Sequence, residues 1–239
     1  MNPSKRLQQM PEYIHARLNK EVKKVEKESG RKVLNFGLGS PDFRTSKKYL
    51  DKLHEFIDLP TSHLYPGYNA IPEFAEALVN WYAKRFEVTI ETNQLLPLMG
   101  EKDGISHFPI AFLDPGDELL VPNPGYPAFY EPTFLAGAVP VPYDLIEEDN
   151  FKLNLNQIEK KITDKTKAIW VNFPSNPTGQ IATLQELDGL VKFVKKHNIF
   201  LLYDNAYSEI TFDDFVAPSI LQVKGAEDVA LEFCSFSKS

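Results

Sequence analysis

Apolar residues recur at helical spacing near the start of the chain, at Met10, Ile14, Leu18, Val22 and Val25, with Lys20, Lys23, Lys24 and Lys27 set among acidic partners between them. That period predicts an amphipathic helix, ended near Ser29 and Gly30. Residues 33–43 read as a short strand running into a turn-rich loop, and a second helical pattern covers residues 74–86, after Tyr65-Pro66-Gly67-Tyr68. Beyond it the rhythm changes. Short apolar segments at residues 94–98, 118–122, 139–143, 168–173, 199–204 and 229–235 predict strands, with helical patterns between most of them, notably at residues 104–112 and 183–197. Such alternation predicts an α/β fold with a mostly parallel sheet covered on both faces and a ligand at the carboxyl ends of its strands. No internal repeat and no low-complexity linker interrupts it.

Composition narrows the picture. With 239 residues, 43% of them hydrophobic, the chain can bury a core for one large domain or two modest ones, which excludes global disorder. The net charge of -7 is spread over interleaved acidic and basic residues, so neither nucleic acid nor an anionic membrane surface is the natural partner. Cys234 stands alone, can form no internal disulfide, and lies in an apolar run that predicts burial; a reducing cytoplasm fits. The strongest apolar stretch, residues 199–203, is far too short to span a bilayer, and no signal peptide or anchor is read at the amino terminus.

Candidate chemistry gathers at the predicted strand ends. Gly100-Glu101-Lys102-Asp103-Gly104 lies where a strand gives way to a helix, so its backbone N–H groups could cradle a phosphate, or its glycines could serve only the turn. Asn123-Pro124-Gly125-Tyr126-Pro127 would hold Tyr126 rigidly as a stacking surface, with a core tyrosine as the alternative. Pro174-Ser175-Asn176-Pro177 fixes an amide between two prolines. Asp204, at the end of a very apolar segment, is costly there unless it meets a cation or several donors; helix capping is the competing explanation. Tyr207 follows three residues on, and Ser235 and Ser237 offer hydroxyls beside Lys238. A lysine amine captures a carbonyl only when part of its population is deprotonated, and burial or a neighbouring cation arranges that. A phosphate cradle, a stacking ring, an anion for a ring nitrogen, donors for a phenolate and a lysine amine together describe one ligand, pyridoxal 5'-phosphate.

The same residues resemble the class I/II aminotransferases, the fold type I group of pyridoxal-phosphate enzymes. Five motifs occur in the family's order: residues 36–43, Tyr65 to Gly67, residues 100–104 with Asp114-Pro115-Gly116-Asp117, Asn176-Pro177-Thr178-Gly179, and residues 204–207 leading to Ser235-Phe236-Ser237-Lys238. The resemblance implies a three-layer sandwich, with residues 1–44 as an N-terminal arm and part of a small domain and residues 45–239 as the cofactor-binding large domain. It implies that Lys238 is the Schiff-base lysine and proton shuttle, that Asp204 pairs with the pyridinium nitrogen, and that Asn176 and Tyr207 donate to the ring's phenolate oxygen. Tyr126 would stack on the ring. Gly100, Glu101 and Lys102, with Ser235 and Ser237, would hold the phosphate; Tyr65 would reach the phosphate of a neighbouring subunit in a homodimer, and Gly39 would line the substrate carboxylate. No metal is implied.

Glu101 departs from the small residue usual in the family, and its side chain is expected to turn away from a dianionic phosphate. The family also continues past the position of Ser239, through two arginines that have no counterpart here, so the expectation is an incomplete chain that transaminates poorly alone. The reaction implied moves an amino group from an L-amino acid to a 2-oxo acid. The alternatives are a C–S lyase of the same fold and a non-catalytic protein that binds the cofactor or a partner. Nucleotide binding is a weaker rival, since no Gly-x-Gly-x-x-Gly follows the first strand.

Overall fold

The computed structural model describes residues 2–10, 12–37 and 39–238. The chain divides into two units, Ser40–Leu98 and the remainder, Met1–Gly39 with Met99–Ser239. The larger unit opens with helices α1 (Lys5–Gln9) and α2 (Ile14–Ser29), the latter closed by Gly30 in the left-handed region. The smaller unit holds α3 (Lys47–Ile57) and α4 (Pro72–Phe86), which buries Ala75, Tyr82 and Phe86 along one stripe. Back in the larger unit come α5 (Glu101–Phe112), β1 (Glu118–Asn123), α6 (Glu131–Ala136), β2 (Val139–Asp144), α7 (Leu155–Glu159), β3 (Thr166–Asn172), α8 (Leu184–His197), β4 (Phe200–Asp204) and β5 (Ala230–Phe233).

The five strands form one sheet in the order β2-β1-β3-β4-β5, every neighbouring pair parallel. Side chains alternate between its faces. Ile169, Val171, Leu201 and Tyr203 join the cluster that also contains Leu187, Leu190, Val191 and Val194 of α8. Trp170 is absent from that cluster; it stacks on Phe129 at 4.7 Å between ring centroids and meets Phe233 at 4.8 Å. Both faces of β3 and β4 are therefore dry beyond Lys167 and Phe200, which explains the apolar runs Ala168–Val171 and Leu201–Tyr203. Each fully buried aliphatic side chain stabilises the fold by about 1.5–3 kcal/mol. The buried phenols are satisfied: Tyr143 donates to the carbonyl of Trp170 at 2.8 Å, and Tyr203 to that of Phe173 at 3.1 Å. Local signals agree with the packing at α8. Thr183 and Glu186 close a capping box at its start, Lys195, Lys196 and His197 sit in its last turn, and Asn198 ends it in the left-handed region.

Several sequence expectations fail, each for an identifiable reason. Residues 94–98 are not a strand: a short 3-10 turn, Thr92–Gln94, runs into irregular chain in which Pro97 offers no N–H to a ladder and Leu96 stays exposed. No strand forms over the described residues 33–37 either, where Leu34 and Phe36 are exposed; Leu38, in the same expected segment, lies outside the described residues. Met10 precedes α2, and the apolar stripe of that helix, Ile14, Leu18 and Val25, is exposed. β5 stops at Phe233, so Cys234 follows the sheet's outer strand and is exposed, against the expected burial. Helix α3 was not foreseen, although Tyr49, Leu53, Phe56 and Ile57 carry its period. Among the described residues, no helix is long and apolar enough to cross a membrane.

Candidate functional site

Four strand ends and one helix start bring polar groups to the carboxyl edge of the sheet. At the end of β1 the chain turns sharply at Gly125, where a Cβ would lie 2.4 Å from the carbonyl oxygen of Pro122. Only glycine fits that approach. It delivers Tyr126 half-buried, its ring edge-on to Phe129 at 5.7 Å.

At the end of β3, buried Asn172 acts as a bracket. Its amide nitrogen donates to the carbonyl of Pro174 at 3.2 Å and to that of Asp204 at 3.1 Å, while its oxygen accepts from the backbone N–H of Asn176 at 2.7 Å. This ties the Asn176 loop to the end of β4, and Asn176 in turn points its Nδ2 at the Tyr207 hydroxyl, 3.4 Å away. Sequence reasoning missed Asn172. Its signal was available: a polar residue closing an apolar strand, as Asp204 does one strand over.

Asp204 ends β4 at 3% exposure. Helix capping does not explain it, because a turn rather than a helix follows; its Oδ1 accepts from the nearby N–H of Ala206 at 3.0 Å. After β5, the N–H of Ser237 donates to the Ser235 hydroxyl at 3.1 Å, curling the chain so that Lys238 turns back. Its Nζ donates to the carbonyl of Gly39 at 2.6 Å and lies 5.8 Å from the centre of the Tyr207 ring. Gly39 itself is close to the same phenol, since a Cβ there would be 3.7 Å from the Tyr207 hydroxyl.

The last contribution comes from α5. Gly100 adopts φ 82°, a conformation that favours glycine, and swings the chain into the helix start. Lys102 places its Nζ between two rings, 5.6 Å from that of Tyr126 and 5.4 Å from that of Tyr13. Tyr13 is a second residue that sequence reasoning passed over. The Glu101 side chain leaves the start of α5. It points inward, its carboxyl within hydrogen-bond reach of Asp204 and its Oε1 fully buried without a partner.

Electrostatics follows burial. Desolvation, then the Asp204 carboxylate, push the Glu101 carboxyl up to about 10. Burial also raises Asp204, while the hydrogen bond from Glu101, the Ala206 N–H and the Lys238 charge pull it back. The pair therefore shares one proton, and it resides on Glu101. The Tyr126 and Tyr207 phenols are both raised, first by burial. Lys102 is raised although burial opposes it, because Tyr126 and Tyr13 face its ammonium.

The structure thus joins Lys238, Gly39, Tyr207, Asn176, Asp204, Glu101, Lys102 and Tyr126 through direct contacts or mutual fields. Ser235 and Ser237 contact each other, Ser237 being exposed. Tyr65 belongs to the smaller unit and is fully exposed.

Known proteins are similar in sequence and in fold. The chain is 42% identical to the LL-diaminopimelate aminotransferase of Aquifex aeolicus, covering 99% of this chain and 61% of that protein. It is 40% identical to the enzyme of that name from Dehalococcoides mccartyi, covering 100% of this chain and 62% of the relative. It therefore spans about three-fifths of the length of these curated relatives. Among solved structures, substrate-bound BacF from Bacillus subtilis superposes with a TM-score of 0.90 at 30% identity, over 100% of this chain and 60% of that one. Thermus thermophilus aspartate aminotransferase with maleate gives 0.89 at 25% identity, over 100% of this chain and 61% of that one. The model of the family described as aminotransferase class I and II matches residues 31–239, a span that takes in the whole sheet and every strand-end residue described above, and the chain belongs to that family.

Proposed function

We propose that the chain forms the cofactor-holding part of a pyridoxal-5'-phosphate-dependent aminotransferase, which moves an amino group from an L-amino acid to a 2-oxo acid. The observation that carries this reading is the convergence of the Lys238 amine, the Asn176–Tyr207 pair and the deep Asp204 carboxyl at adjoining strand ends. The donor set fits the group: Asp204 is a buried acid in hydrogen-bond reach of another carboxyl, and the Lys238 charge acts on it more weakly, which suits a protonated ring nitrogen as its partner. When bound, pyridoxal 5'-phosphate supplies the electron sink.

The chain's own residues do the rest. Asp204 would hold the ring nitrogen protonated, Asn176 and Tyr207 would donate to the ring's phenolic oxygen, and Tyr126 would pack on its face. The backbone N–H groups of residues 100–102, at the start of α5, receive the phosphate with Ser235 and Ser237. Lys238 would hold the cofactor's aldehyde through its amine, with loss of water, and would carry the proton to and from the substrate's alpha carbon. Gly39 lines the place of the substrate carboxylate, and Tyr65 reaches the phosphate site of a second copy in a homodimer. The names of the two relatives make LL-diaminopimelate the first donor to test.

The test is spectroscopic. The purified chain, loaded with pyridoxal 5'-phosphate and freed of excess, should absorb in the visible, and LL-diaminopimelate should shift the band until a 2-oxo acid restores it. Lys238→Ala should abolish the band. A chain that retains no cofactor, or a Lys238→Ala protein with the same band, would overturn the reading.

A further inference from the structure

Glu101 is the member of the site whose side chain does the opposite of what a phosphate cradle asks. Its backbone belongs to the start of α5, where N–H groups converge. Its carboxyl, however, leaves that edge and lies within hydrogen-bond reach of Asp204, with its Oε1 fully buried. The charged and titratable groups whose fields reach it are Asp204 from the end of β4, Tyr207 from the turn after it, and Lys238 from the segment after β5. Two carboxyls in contact in a dry site require a proton between them, and the pair with Asp204 supplies the geometry for it. Asp204 is itself almost fully buried, at 3% exposure.

We propose that Glu101 is a built-in competitor for the Asp204 carboxylate: its protonated carboxyl takes the side of Asp204 that a cofactor ring nitrogen needs, and loading requires Glu101 to swing out. This rests on the function proposed above, since it concerns the same Asp204. The proton on Glu101 is lost to water, or to the incoming ring nitrogen, once the carboxyl leaves the buried position. The competition concerns the ring and not the phosphate, which separates it from simple repulsion between a carboxylate and an anion.

Equilibrium titration of the cofactor-stripped chain with pyridoxal 5'-phosphate, and separately with pyridoxal, tests it. Removing the competing hydrogen bond in Glu101→Ser should tighten both ligands by about 10- to 100-fold. Glu101→Gln, whose amide still donates to Asp204, should stay near the parent chain. If Glu101→Ser gains only with the phosphorylated ligand, or if Glu101→Gln gains as much as Glu101→Ser, repulsion replaces competition and the proposal falls. Equal affinity in all three proteins also sinks it while leaving the cofactor site intact; no binding by any of them sinks the functional reading itself. An independent readout needs no folded variant. In infrared difference spectra the parent chain should lose a protonated-carboxyl band when pyridoxal 5'-phosphate is added, and an unchanged band on a chain that has bound the ligand would refute displacement.

Discussion

Replacing Glu101 with glutamine should change how the chain's stability depends on pH. In the folded chain, burial and the Asp204 carboxylate lift the Glu101 carboxyl from its ordinary 4.5 to about 10. The folded state therefore keeps a proton that the unfolded chain releases. The stabilisation is fully present below about pH 4.5, declines as pH rises, and is gone once the folded carboxyl ionises near 10. Each pH unit in that window removes at most about 1.4 kcal/mol, so moving from about pH 5.5 to about pH 7.5 costs up to about 2.7 kcal/mol through this one group. Glutamine does not titrate, and its amide still donates to Asp204. Asp204 is raised in the same direction and is coupled to Glu101, so the difference between the two proteins reports the acid pair. Urea unfolding of the cofactor-stripped chain and of Glu101→Gln at the two pH values measures it directly. Glu101→Gln should gain about 1–3 kcal/mol relative to the parent on going to the higher pH. Curves that stay parallel within about 0.5 kcal/mol would mean that Glu101 is ionised and solvated, and the acid pair would be wrong.

Three further substitutions probe the supports of the site. Gly125→Ala drives a Cβ to 2.4 Å from the backbone oxygen of Pro122, so the turn must shift; a loss of about 1–3 kcal/mol, read from the urea midpoint, is expected. Thr183→Ala removes one half of the α8 capping box and should lower stability by about 1 kcal/mol in the same assay, with no change in cofactor affinity. Asn172→Ala leaves the Asn176 N–H without its acceptor and should cost about 1–3 kcal/mol. Because that bracket also orients Asn176 toward Tyr207, the variant should bind pyridoxal 5'-phosphate more weakly, and unchanged affinity in a titration would remove Asn172 from the site.

The parallel sheet was legible because β1, β3 and β4 are buried on both faces, and such strands must be almost continuously apolar. The helix α8 was legible at both ends through Thr183, Glu186 and Asn198. Residues 94–98 and 33–37 misled for the opposite reason: an apolar segment predicts a strand only if a neighbour supplies a ladder, and a short sequence window carries no information about neighbours. Asp204, Asn176 and Tyr207 could be picked out as polar groups at strand ends; in the structure Asn176 donates to Tyr207, whose phenol feels the Asp204 charge. The direction of Glu101 could not. Alone in sequence it reads as an anion to be repelled from a phosphate, and only the three-dimensional approach of Asp204 turns it into a neutral acid. Tyr13 escaped for a related reason, since its meeting with Lys102 joins residues far apart in the chain.

The proposed chemistry requires a covalent link between the cofactor and one particular amine. Borohydride reduction of the chain after incubation with pyridoxal 5'-phosphate, followed by peptide mass spectrometry, should find the label on the peptide that carries Lys238 and nowhere else in comparable yield. An unmodified Lys238, or a label carried mainly by Lys102, would contradict it.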